Sequence, residues 1–497
     1  MPCTTILVGK KASADGSTLM ARNEDSGAGH FMPKKCIIVR PEDQPVEYKS
    51  VLSKFSVTLP ANPLMYSACP NAVPDEGIWG EAGINAAGVA MSETETITSN
   101  ARVLGADPLV KDGIGEEDLL TIVLPYIHSA REGVQRLGSL LEKYGTYEMN
   151  GIGFQDVNEI WWFESVGGHH WIAKRVPDDA YVVGPNQLGI DRFDFVDAGG
   201  EQTSHMCSAD LVSWIEANHL NLSMREEALS SCRDWEVRPS LGSHDDADHV
   251  YNTPRAWFME RCLNPHAADW DGGDRQFGPE SDTLPWSMVP EHKISVEDVK
   301  YLLSSHYQGT PYDPYAKTDI DGKRGKYRSI GVNRTNFLAC TQIRPGLPKE
   351  IASVQWLAFA SNVFNAFIPF YTNVTDTPAY IRDGGPDATT ENFYWENRII
   401  GALADAHWAS CANLIERYQN STGAKARQML RETDEAFEKK FGGTSGQKDS
   451  EKKIRKFLMK RNEQMADMAR KETQDVLNKV LFAASSGMKN QYSRSDA

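Results

Sequence analysis

The chain has 497 residues, with 52 Lys and Arg against 68 Asp and Glu, for a formal net charge of −16. Displacement of counterions by basic side chains drives polyanion binding, so this balance excludes a general nucleic-acid binder and a surface for anionic lipid. With 40 % hydrophobic and 24 % charged residues, the composition is that of a folded globular protein with two or three structural units.

Residues Thr4 to Val8 are β-branched and apolar, Asp15-Gly16 signals a tight turn, and Ser17 to Ala21 resumes an extended pattern. They predict a hairpin that ends on Arg22-Asn23-Glu24-Asp25. A second extended region runs over 78–95, where Gly83 to Gly88 turns into the strand Val89 to Ser92. Over 116–141 the apolar positions Leu119, Ile122, Val123, Tyr126 and Ile127 fall at helical spacing. Strands return at Trp161 to Glu164, His170 to Ala173 and Tyr181 to Val183, which makes the class mixed α and β. From Gln187 to about Arg328, Asp, Gly and Pro clusters predict an irregular insertion. Phe337 to Ile343 and Ser353 to Phe359 then close the core.

Beyond Asn392 the pattern is helical over 393–418, 424–441 and 450–484, interrupted at Gly442 to Gly446. The expected organisation is a main domain over 1–391, with the insertion at about 187–328, and a helical extension over 392–497. The apolar stripes of the extension need cover, either from the core or from another subunit, and a homo-oligomer is expected.

No run approaches the roughly 20 apolar residues of a membrane span, and the opening residues do not form a signal peptide. The eight cysteines are scattered without a C-x-x-C pair, as in a reducing compartment, so a cytoplasmic protein is expected. No P-loop or dinucleotide glycine pattern is present, and no cofactor is expected.

Cys3 stands immediately ahead of the first strand. As the first residue of a mature chain, a cysteine carries both a nucleophilic sulfur and, in its own α-amine, a proton acceptor. Their unperturbed pKa values, about 8.5 and about 7.7–8.0, make proton transfer nearly thermoneutral. One residue then serves as nucleophile and base. Met1 and Pro2 must first be removed, because the Cys3 nitrogen in peptide linkage is a non-basic amide. Taken alone, an early cysteine is equally a buried strand residue.

Cys3-Thr4-Thr5-Ile6-Leu7-Val8-Gly9, Asp15-Gly16-Ser17-Thr18 and Ala21-Arg22-Asn23-Glu24-Asp25 resemble the start of a cysteine dipeptidase of family C69, in the N-terminal-nucleophile hydrolase superfamily. The resemblance continues through Gly83-Ile84-Asn85, Gly88 to Ser92, Glu159 to Arg175, Gly184-Pro185-Asn186-Gln187, Gln342-Ile343-Arg344 and Pro369-Phe370-Tyr371. It covers most of residues 3 to about 420. It implies an αββα sandwich and hydrolysis of dipeptides. It further implies Cys3 as nucleophile, Arg22 and Asp25 as the Arg-x-x-Asp pair, Asn186 in the oxyanion hole and Arg255 as a second active-site arginine.

These assignments have independent chemical reasons: a guanidinium favours a thiolate, a carboxylate orients an α-amine, and an amide N–H stabilises an oxyanion by ~3 kcal/mol. Read locally, Arg22 and Asp25 are equally a salt bridge at the hairpin end, and Asn186 is equally a turn residue. The superfamily's other oxyanion contributor falls within Glu93-Thr94-Glu95, where this chain has no asparagine.

Restriction to dipeptides needs an anion for the substrate ammonium and a cation for its carboxylate. Glu93, Thr94 and Glu95 are the candidates for substrate binding, with Arg255 for the carboxylate. Two other functions fit the same framework: an amide acylase of the bile salt hydrolase type, and a secernin-like interaction protein that binds through its C-terminal helices. The His244 to His249 cluster has the residue types of a metal site but reads as a solvated loop, so no metal is expected. His169 and His170 read as packing histidines.

Overall fold

The computed structural model describes residues 3–73, 77–223, 228–243, 245–271, 276–442 and 448–488; the side chains of 93–95 and 448–449 also lie outside the description. The chain is α+β. Its strands are β1 (Cys3–Val8), β2 (Thr18–Asp25), β3 (Ala82–Ile84), β4 (Ala90–Thr96), β5 (Asn150–Gln155), β6 (Ile160–Val166), β7 (His170–Arg175), β8 (Tyr181–Gly184), β9 (His205–Cys207), β10 (Ser287–Met288), β11 (Thr335–Ile343), β12 (Ser353–Phe359) and β13 (Ile368–Tyr371), with smaller two-stranded ribbons besides. The principal helices are α1 (Ala130–Tyr144), α2 (Thr253–Leu263), α3 (Val296–Leu303), α4 (Phe393–Ala406), α5 (Trp408–Phe441) and α6 (Lys448–Ser486).

Two antiparallel sheets organise the molecule. The first has the order β10-β8-β1-β2-β11-β12-β13, and the second β9-β7-β6-β5-β4-β3. The expected hairpin is therefore the centre of the larger sheet. Its turn is made by Gly16 at φ +80°, with Asp15 Oδ1 accepting from the Ser17 amide at 3.1 Å.

All residues of β1 and β2 are buried because both faces of this strand pair are covered. Leu7 and Met20 point into a core shared with Ile84, Ala90, Trp162 and Ile172 of the second sheet. Ile6, Val8, Leu19 and Ala21 point the other way, into a core shared with α2, α3 and the C-terminal helices. The far face of the second sheet, with Phe154, Phe163 and Trp171, packs on Val134, Leu137 and Leu141 of α1. Gly153 permits close approach of the two sheets: a Cβ there would lie 2.4 Å from Met20 Sδ.

The structure departs from the sequence reading in three places. The helix expected over 116–141 is divided, with Glu116–Asp118 and Leu119–Val123 as short turns, Pro125 breaking the run, and α1 restarting on Ser129, whose hydroxyl accepts from the Glu132 amide. The expected irregular insertion contributes β9 and β10 to the sheet edges and holds α2 and α3. Its elements are short and interrupted, so they leave little periodicity to read. The helices expected over 393–418 and 424–441 are α4 and a continuous α5.

The C-terminal helices are part of the main core: Ile400, Ile415, Ile454 and Leu458 pack with the outer face of the first sheet. The Asn462 side chain in α6 donates to the Tyr371 carbonyl at 2.9 Å and accepts from its amide at 3.0 Å, covering the β13 edge. The stripes that prompted the expectation of self-association are thus buried within the chain. No helix among the described residues is long and apolar enough to cross a membrane.

Candidate active site

Cys3 begins β1 and is fully buried. Antiparallel pairing sets Thr5 opposite Arg22 and Cys3 opposite Glu24, so Arg22 and Glu24 share the face of the Cys3 side chain. Arg22 Nη2 donates to Cys3 Sγ at 3.0 Å. The same guanidinium reaches Glu81 Oε2 at 2.7 Å and Glu116 Oε1 at 3.4 Å. Lys34 lies beyond, with Nζ 2.8 Å from Glu81 and 3.1 Å from Glu24.

Burial alone would depress the Arg22 guanidinium, but the negative charges of Cys3, Glu81 and Glu116 hold it well above its ordinary value. Lys34 is raised in the same way, its desolvation outweighed by Glu24 and Glu81. Burial and the charge of Glu81 push Glu24 up to about 7. Glu81 itself, although buried, is held below the usual carboxylate range by Lys34 and Arg22. Glu148 accepts from the Glu116 amide at 3.0 Å and is pushed up to about 7 by burial and by the charge of Glu116.

The backbone of Cys3 is held from the opposite side. Its N–H donates to Asn186 Oδ1 at 3.1 Å, and its carbonyl accepts from Arg255 Nη1. Arg255, on α2, also donates to Thr4 Oγ1 at 2.6 Å, Asn186 Oδ1 at 2.8 Å, Asn252 Oδ1 at 2.6 Å and the Tyr251 carbonyl at 2.7 Å. These five contacts match the five N–H groups of a guanidinium.

Peptidase family C69 matches residues 2–421. The chain is 52 % identical to "Dipeptidase" of Bifidobacterium longum (strain NCC 2705) over the full length of both, and 49 % identical to "Probable dipeptidase A" of Streptococcus pyogenes serotype M3 (strain SSI-1), again over the full length of both. It is 42 % identical to "Dipeptidase A" of Lactobacillus helveticus over 96 % of each chain. The chain belongs to peptidase family C69.

In this peptidase Cys3, Arg22, Asn186 and Arg255 converge, while Asp25 stands apart. Asp25 is an odd number of residues from Arg22 and so points to the opposite face of β2. Its carboxylate is held by Arg328 Nη2 and Thr335 Oγ1. Neither a direct Arg22–Asp25 bridge nor contact of Asp25 with the Cys3 nitrogen is formed. Asn186 turns its side-chain oxygen to the Cys3 N–H, and its amide nitrogen donates to the Thr96 carbonyl at 3.2 Å. Arg255 meets protein acceptors with all five of its N–H groups.

The backbone of Glu93, Thr94 and Glu95 runs within β4, where the register shifts between Ser92 and Glu95; their side chains lie outside the described residues. His244, Met1 and Pro2 lie outside them as well. His249 Nε2 is 2.9 Å from Asp282 Oδ1. Among the described residues no group of three or more His, Cys, Asp or Glu is placed to hold a metal ion. His169 and His170 both bind Asp107 through Nδ1, at 2.8 and 2.7 Å, and His170 stacks on Trp214, which makes them structural.

The residues missed by sequence reasoning are Lys34, Glu81, Glu116, Glu148 and Arg328. A signal was present in Glu116-Glu117-Asp118, three consecutive acids that are all buried. Glu117 accepts from Ser50 and Tyr147, and Asp118 from Tyr48 at 2.7 Å. At the head of an apolar run such a triplet reads as a solvated helix start.

Proposed function

We propose that this protein is a dipeptidase whose nucleophile is the Cys3 thiol, exposed when Met1 and Pro2 are removed. The layers of helix and paired sheet are read as the αββα sandwich of N-terminal-nucleophile hydrolases. The observation that carries this reading is the 3.0 Å contact between Arg22 Nη2 and a cysteine at the very start of a central strand. A guanidinium cannot accept a proton, so it acts on the sulfur only by favouring the thiolate.

In the proposed cycle the Cys3 α-amine takes the thiol proton and the sulfur attacks the scissile carbonyl. The amine then protonates the departing amino acid, and water resolves the thioester by the reverse proton path. Asn186 Oδ1, at the Cys3 nitrogen, orients the amine, and Arg255 fixes both Asn186 and the Cys3 carbonyl. Asp25 acts at one remove, through Arg328.

Substrate length follows from charge. Around the Cys3 side chain four acids, Glu24, Glu81, Glu116 and Glu148, accompany two cations, Arg22 and Lys34, and Glu24 and Glu148 are pushed up to about 7 by burial and by this crowding of acids. A substrate ammonium supplies a further positive charge. Cys3 Sγ and Glu116 Oε1 share the single donor Arg22 Nη2, which brings a carboxylate to the one-residue separation between a dipeptide's ammonium and its scissile bond. The Glu93 to Glu95 segment of β4 forms the rest of this subsite. An acylase for apolar acyl groups has no use for this acidic surround, and residues such as Ile415, Ile454 and Leu458 of the C-terminal helices are taken up by the core of this chain.

Intact mass and turnover of a dipeptide panel, for the native chain and Cys3→Ala, test the reading. Loss of Met1-Pro2 with turnover abolished by the substitution is the expected result. An intact N-terminus with turnover surviving Cys3→Ala overturns it.

A further inference from the structure

A cavity of about 510 Å³ lies between α3 and α5 and is lined by none of the residues around Cys3. That volume is in the range that holds a small organic ligand. Its apolar wall includes Trp356, Phe367 and Trp408, and Lys300 of α3 also faces it. Lys300 Nζ donates to Ser304 Oγ at 2.6 Å and to the Asn362 carbonyl at 2.7 Å, both neutral acceptors. Desolvation alone, with no charge to offset it, pulls its ammonium down to about 7.

Other buried cations are matched: Lys34 with Glu24 and Glu81, Arg328 with Asp25 and Arg344 with Asp434 by acids, and Arg255 by five neutral acceptors, one for each of its N–H groups. The acids that line this cavity do not serve Lys300. Glu297 is paired with Arg427 at 2.6 Å, Asp313 with His306 at 2.8 Å, and Glu416 is exposed on α5. The cavity therefore combines an aromatic wall with one cation that has neutral hydrogen-bond partners and one ammonium hydrogen more than they accept.

We propose that this cavity is a binding site for a small apolar monocarboxylate, with the carboxylate on Lys300 and the apolar body against Trp356, Phe367 and Trp408. A single negative charge balances the lysine. A ligand carrying more charge would meet Glu297, Asp313 and Glu416 around the same cavity.

The full-length protein, titrated by calorimetry at about pH 6.5, where Lys300 is protonated, tests this with octanoate, indole-3-acetate and 4-phenylbutyrate, each against its neutral amide. At least one carboxylate is expected to bind one-to-one and about tenfold or more tighter than its amide. Lys300→Met removes that preference. Gly423→Phe, on α5 where an added Cβ meets no atom within 4 Å, fills the cavity and blocks acid and amide alike. The proposal is overturned if acid and amide bind equally, if the preference survives Lys300→Met, or if no carboxylate binds up to about 10 mM. Dipeptide turnover tests the separate reading at Cys3 and is retained in both variants.

Discussion

Arg22→Met isolates what the guanidinium does for the Cys3 sulfur. Opposite unit charges 3.0 Å apart attract by about 5–6 kcal/mol at an effective dielectric of about 20. Glu81 and Glu116 bind the same guanidinium and oppose a thiolate, so the usable part is closer to that of one charge-assisted hydrogen bond, roughly 1.5–3 kcal/mol. At about 1.4 kcal/mol per factor of ten, alkylation of Cys3 by iodoacetamide near neutral pH is expected to slow by about 10–100-fold. Peptide mapping separates Cys3 from the other seven cysteines. The substitution also leaves Glu81 and Glu116 without their arginine, a loss of roughly 3–5 kcal/mol of stability for a broken buried pair, so a lowered Tm must be measured alongside. Arg22→Lys retains the charge and is expected to recover part of the alkylation rate. A folded Arg22→Met protein whose Cys3 alkylates at the native rate would refute the role of Arg22.

Glu116→Gln should raise the dipeptide KM by about tenfold while Cys3 alkylation speeds up, because one carboxylate fewer draws on Arg22; a fall in both would mark a structural defect instead. Burial pulls the Lys300 ammonium down to about 7 in the folded chain, from a lysine's ordinary 10.5, so the unfolded chain binds more protons between those limits and stability rises with pH across that window. Lys300→Met is accordingly expected to be more stable than the native chain at pH 7, by roughly 2–4 kcal/mol after the lost hydrogen bonds to Ser304 and Asn362, with the gap closing towards pH 10; parallel Tm series that do not converge would contradict this. Gly83→Ala places a Cβ 1.8 Å from the Ser67 carbonyl oxygen, a backbone clash that side-chain rotation cannot relieve, and chemical denaturation should show a loss of roughly 3 kcal/mol or more.

The hairpin, the closing strands and the C-terminal helices were legible because their signals are local: β-branched and apolar residues over 4–8 with an extended pattern resuming over 17–21, unbroken strands at 337–343 and 353–359, and helical stripes beyond 392. The Ile368–Tyr371 strand was not read as one, since Pro369 argues against a central strand; it is the terminal strand of its sheet, where a missing N–H is tolerated. Arg255 was identified from the family motif alone, because the 11-residue α2 that carries it is buried nearly all round and shows no amphipathic period.

The limit of sequence reasoning at the site is clearest in Arg22-Asn23-Glu24-Asp25. As a motif these residues read as one functional pair, and a helix or turn would hold Arg22 and Asp25 together. As a β-strand they alternate, so Arg22 and Glu24 go to the Cys3 face with Glu81 and Lys34, while Asp25 goes to the other face with Arg328 and Thr335. On that face Arg328, which holds Asp25, and Arg255, which holds the Cys3 carbonyl, both lie over the Tyr251 ring. That geometry separates the two faces of one strand: Arg22 and Glu24 lie on the face of the Cys3 sulfur, and the other face carries Asp25 with Arg328 and Thr335. Glu81, Glu116 and Arg328 come from distant parts of the chain and carry no local spacing that ties them to Cys3; the fold brings the first two to Arg22 and the third to Asp25.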